Sequence, residues 1–120
     1  MNEDISKRKF VGRLIFDVLT ERRVVRDAIK LFPETHDESI ICAYHALVHY
    51  EADEDIRYHD IEYKEAQDDY LEFLSQTLVE GKSVPKNIID EYKPYYKGTS
   101  STWLNGFKGF IKEFKRFINI

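Results

Sequence analysis

The chain has 120 residues, 42% hydrophobic and 14% aromatic, with one cysteine and a formal net charge of −4. That length suits one domain over residues 1–120, burying roughly two thirds of the surface of the unfolded chain. A single cysteine excludes an internal disulfide framework and a four-cysteine zinc site, and suits a reducing, cytoplasmic setting. Arg13 and Asp17 interrupt the apolar residues near the start, which does not read as a signal peptide, and no run approaches the roughly 18 apolar residues of a membrane span.

Charge is unevenly distributed along the chain. Residues 1–31 carry eight Lys/Arg and five Asp/Glu, residues 32–81 carry two and fourteen, and residues 82–120 carry eight and three. The acidic middle third would repel a polyanion, so no nucleic-acid partner is expected. Basic end segments packed beside acidic central ones account for the pattern more simply.

The first helix is expected from about Asp4 to Leu31. Phe10, Val11, Leu14, Val18, Val25, Ile29 and Phe32 recur at helical spacing. Thr20-Glu21 breaks the stripe, so a kink or a division into two helices is expected there. Arg23, Arg26 and Lys30 lie on the other face, either solvated or paired with an acidic helix.

Residues 36–55 should form a central helix. Pro33 closes the preceding one, and Thr35 with Glu38 reads as a capping box. Ile40, Ala43, Tyr44, Leu47 and Val48 fall on one face, with Cys42, His45, Ala46, His49 and Asp53 opposite. A helix apolar or weakly polar on two sides belongs inside a bundle.

Between Glu51 and Asp69 stand nine carboxylates and two basic residues, which favours a solvated turn between Asp55 and Asp60. Asp60 can then cap a helix from Ile61 to about Glu80. Its buried stripe would be Tyr63, Ala66, Tyr70, Phe73, Leu74, Thr77 and Leu78, and Gly81 would terminate it. Ser83-Val84-Pro85 opens a short helix with Ile88, Ile89 and Tyr92 inward, and Pro94 ends it.

A last helix should begin at Ser100 or Ser101. Trp103, Phe107, Phe110, Phe114 and Phe117, joined by Leu104, Ile111 and Ile118, make a wide apolar stripe opposite Lys108, Lys112, Lys115 and Arg116. Gly106 flanks that stripe, where close approach of a neighbouring helix would explain it.

The chemistry legible here is sparse. His45 and His49 stand one turn apart, a spacing that can chelate a transition metal. Cys42 through Asp53, however, spans about 16 Å of helix, too long for one ion, and Ala46 occupies the position of the HExxH glutamate. Asp53 and Asp55 lack the glycine and terminal glutamate of a calcium loop. Cys42 has no visible base or oxyanion site, and no phosphate-cradling glycine loop occurs.

The expectation is therefore an all-α bundle of about five helices, orthogonal or up-down. It would be a small cytoplasmic protein with no catalytic residues and no cofactor, acting by protein–protein contact and self-association, most simply as a homodimer. Two alternatives stand beside it. One is a metal-binding helical protein using His45 and His49, and the other is peripheral attachment to an anionic membrane through the basic C-terminal helix.

Overall fold

A computed structural model describes residues 2–95; the sequence-predicted C-terminal helix lies outside the described residues. The protein is all-α and compact, with six helices among the described residues: α1 (Asn2–Leu19), α2 (Val25–Lys30), α3 (Glu38–Ala52), α4 (Glu54–His59), α5 (Ile61–Val79) and α6 (Lys86–Tyr92), followed by a 3-10 turn at Lys93–Tyr95.

The two long helices α1 and α5 form the main antiparallel pair. Gly12 lies against Ser75 and Val79, and Ile5 lies against Gly81. The buried face of α1 is Val11, Leu14, Ile15 and Val18, that of α5 is Tyr63, Ala66, Tyr70, Leu71, Leu74 and Leu78, and all join one core. Phe10 is a correction to the expected stripe. It is 48% exposed, while Ile15 is fully buried, because the inner face of α1 is centred between Val11 and Ile15.

The expected break near Thr20-Glu21 is present, and its cause is backbone geometry. Glu21 takes a positive φ of 61°, and its amide bonds to the Val18 carbonyl while the Arg22 amide bonds to that of Asp17. These two bonds make a Schellman termination with glutamate in the left-handed position usually held by glycine. Gly81 (φ 78°) ends α5 in the same way, with the Gly81 amide on Leu78 and the Lys82 amide on Thr77.

Helix α3 packs against all five other helices, as its two-sided pattern requires. Ile40, Ala43 and Leu47 are buried on one side and Cys42, Ala46 and His49 on the other. Tyr44, expected on the inner face, is 38% exposed; it packs edge-on against Phe32 at 5.6 Å instead. The expected Thr35–Glu38 capping box is also corrected. Asp37 is the N-cap, its Oδ1 accepting from the Ser39 amide at 2.9 Å, while the Thr35 hydroxyl accepts from the Asp37 amide at 3.0 Å. Asp37 wins because Arg8 Nε donates to its other oxygen at 2.7 Å and holds the carboxylate in place.

The expected solvated turn between Asp55 and Asp60 is instead helix α4. Its charges are ordered to suit a helix, with Glu54 and Asp55 in the first turn and Arg57 and His59 in the last. Asp60 then caps α5 as expected, accepting from the Tyr63 amide at 3.1 Å. In α6, Ile88 and Ile89 are buried as expected, with Pro85 as the N-cap.

Among the described residues, ion pairs tie the basic ends of the chain to its acidic middle. They are Arg8–Asp37 at 2.7 Å, Arg26–Glu51 at 3.0 Å and Lys93–Glu38 at 3.1 Å. The half-exposed pairs contribute little to stability; Arg8–Asp37 is the exception, since the Asp37 side chain is 4% exposed.

Candidate functional site

Two features stand out on α3, one on each side. The first is a buried polar network where α3, α4 and α5 meet. Asp53 ends α3, starts α4 and is 3% exposed. Tyr63 Oη donates to Asp53 Oδ2 at 2.6 Å and Gln67 Nε2 donates to the same oxygen at 3.3 Å. Arg57 Nη1 donates to Gln67 Oε1 at 3.0 Å and to the Tyr50 carbonyl, and its guanidinium lies 3.5 Å above the Tyr50 ring. Helical spacing creates the arrangement, since Asp53 and Arg57 are one turn apart on α4, as are Tyr63 and Gln67 on α5.

Three acidic groups of this cluster titrate higher than usual. Burial raises the Asp53 carboxyl, a shift opposed by the Tyr63 and Gln67 hydrogen bonds and by the Arg57 charge. Burial, followed by the Asp53 bond and charge, raises the Tyr63 phenol. Burial and the charge of Asp68 raise the Tyr50 phenol. Tyr63, Gln67 and Arg57 each donate to an acceptor inside the protein, so the cluster ties the α3–α4–α5 corner together.

His49 sits one turn before Asp53 and is 4% exposed. Burial, then the neighbouring His45, pushes its imidazole down to about 4. Burial also lowers His45, which is half-buried. Both are therefore neutral near pH 7. Among the described residues no three His, Cys, Asp or Glu side chains converge to hold a metal ion. Cys42, on the same side, is fully buried with its Sγ 3.5 Å from Tyr70 Oη.

The second feature is an open groove of about 440 Å³ between α2, the 31–37 connection and the outer side of α3. Ile29, Phe32, Pro33, Ile40, Ile41 and Tyr44 form its walls, and Glu34, Thr35 and His36 its polar rim. The groove exists because Glu21 ends α1 early. The short helix α2 then folds back toward α3, and the non-helical 32–37 segment joins the two.

The sequence placed Asp53, His45 and His49 on one side of α3 but gave no reason to couple Asp53 to Gln67 and Arg57. The signal available was the pair of one-turn spacings, Asp53–Arg57 and Tyr63–Gln67. The groove had no motif. Among the described residues no helix is long and apolar enough to cross a membrane. The chain matches no protein-family model, no curated protein and no solved structure.

Proposed function

We propose that this chain works by protein–protein contact, self-association first, and that the groove between α2 and α3 is its contact surface. The observation that carries this reading is the groove itself. It is an aliphatic and aromatic trough with a polar rim on the outer side of the helix that organises the fold. A trough of this kind accepts the apolar face of an amphipathic helix, whose side chains at successive turns enter it one after another. Aromatic residues such as Phe32 and Tyr44 supply large contact area with little loss of side-chain freedom. The buried network at Asp53 supports the same reading by holding α3 rigid, which lowers the cost of ordering a binding face.

Light scattering across a concentration series tests it. Full-length chain should show a mass above that of a monomer at high concentration. Tyr44→Glu, at a half-open position, should return it to monomer with its helical circular dichroism intact. A wild-type chain that stays monomeric throughout, with Tyr44→Glu indistinguishable from it, would remove the self-association reading.

A further inference from the structure

We infer that α4 is a lid, latched by the Arg57 side chain, which opens between fixed points at Asp53 and Asp60 while the rest of the fold stays closed. The first support is how little holds it. Helix α4 has six residues, none of them buried, and a helix so short has no stability of its own in water. Glu54, Asp55, Tyr58 and His59 are exposed, Tyr58 by 84%. The half-buried residues are Ile56, which packs against the core, and Arg57.

The second support is where Arg57 is anchored. The last four carbonyls of a helix lack partners within it, and that of Tyr50 is among those at the end of α3. Arg57 Nη1 donates to this carbonyl and to Gln67 Oε1 of α5 at 3.0 Å, with the guanidinium 3.5 Å above the Tyr50 ring. One side chain thus joins α4 to both of its neighbours, through hydrogen bonds that its charge strengthens.

The third support is that both ends of the segment are pinned without Arg57. The Asp53 carboxylate is held by Tyr63 and Gln67, and the Asp60 carboxylate caps α5 at the Tyr63 amide. Releasing Arg57 therefore frees residues 54–59 alone. It uncovers the Gln67 amide and, one hydrogen bond further in, the Asp53 carboxylate, whose burial the Arg57 charge offsets while the lid is closed. This opening is separate from the groove, to which α4 contributes no residue.

Native-state hydrogen exchange of the full-length chain in low urea reads the lid directly. The amides of Arg57, Tyr58, His59 and Asp60 should exchange faster than those of Leu71 and Leu74 in α5. Their rates should depend little on urea, because opening the lid exposes little surface. Gly12→Ala crowds the α1–α5 crossing and touches no α4 residue. It should speed exchange at Leu71 and Leu74 about tenfold or more and leave the four lid amides unchanged. Arg57→Met keeps the apolar stem and removes the latch, so the lid amides should exchange about tenfold faster or more, with Arg57→Lys in between.

Lid amides that share the urea dependence of Leu71 and Leu74, or that speed up with them in Gly12→Ala, would overturn the proposal, since α4 would then open only when the whole chain unfolds. Lid amides no faster in Arg57→Met would overturn Arg57 as the latch. An Arg57→Met chain that loses its native fold would do the same, because Arg57 would then hold the whole bundle and not one lid.

Discussion

Gly12→Ala is the substitution on which the α1–α5 pairing can be judged. A Cβ on Gly12 would lie 2.6 Å from the Val79 amide nitrogen, 2.9 Å from the Ser75 carbonyl oxygen and 2.9 Å from Val79 Cγ2. Two of those three atoms belong to the backbone of α5, so rotating a side chain cannot relieve them. Ordinary contact begins near 3.4 Å, which requires the two helices to part locally by about 0.8 Å. A gap of that size forfeits a quarter to a half of the dispersion energy of each contact it opens.

The affected contacts lie in the core formed by Val11, Ile15, Leu74 and Leu78. Parting also lengthens the 2.9 Å bond from Ser75 Oγ to the Gly12 carbonyl. Overpacking of this kind costs about 1–3 kcal/mol, and more where backbone must move. Alanine returns about 1 kcal/mol in helix propensity. The net expectation is a loss of roughly 2 kcal/mol, or about 5–15 °C in Tm for a chain of this size. Thermal and urea unfolding followed by circular dichroism measure it. Gly12→Ala with Val79→Ala should recover only part of the loss, since the backbone contacts remain. A Gly12→Ala protein as stable as wild type would refute the close crossing.

Other expectations follow from single sites. Glu21→Gly removes a left-handed strain that a Cβ imposes and should stabilise by about 0.5–1 kcal/mol, read as a higher urea midpoint; no change would mean that Glu21 is not held at positive φ. Asp37→Ala should cost about 2–3 kcal/mol by deleting the α3 cap and leaving Arg8 without its carboxylate. Asp37→Asn should keep the cap and lose less, and equal losses would show that the cap contributes nothing. Tyr63→Phe removes a donor from the buried Asp53 carboxylate and should cost about 1–3 kcal/mol at neutral pH.

His49 gives a pH dependence of definite sign. Its folded value of about 4 lies below the ordinary histidine value of 6.5, so the unfolded chain binds more protons between those values and stability falls as pH drops from about 6.5 toward 4. The lowered His45 acts in the same sense, while the raised Asp53 opposes it at the acid end of the window. His49→Gln should flatten the fall, on the order of 2 kcal/mol in wild type. A slope unchanged by that substitution would contradict the assignment.

Much of the helical layout was legible because apolar period and stop signals are local. Asp60 and Gly81 bracket α5, and the mixed apolar and small-residue circumference of residues 40–49 marked a helix buried on two sides. The misreadings came where a distant partner decided. Asp37 rather than Thr35 caps α3 because Arg8, 29 positions away, holds it. In the acidic 54–59 segment, a charge order that suits a helix is joined by Arg57's bonds to Tyr50 and Gln67, which tie that helix to α3 and α5. Gly12 carries the general signal of close approach, a glycine inside a helical pattern, but which helix approaches it is set by α5, more than 60 positions away.

By itself, then, the sequence determined that the chain is helical, where α3 and α5 run, and how charge divides along it, since each depends on residues within a few turns of one another. The tertiary structure alone decided that α1 crosses α5 at Gly12, that Asp53 is enclosed by Tyr63 and Gln67, and that α2 and α3 leave a groove open. Those features are distances between segments far apart in the chain, and periodicity within a single helix holds no information about which face of another helix it will meet.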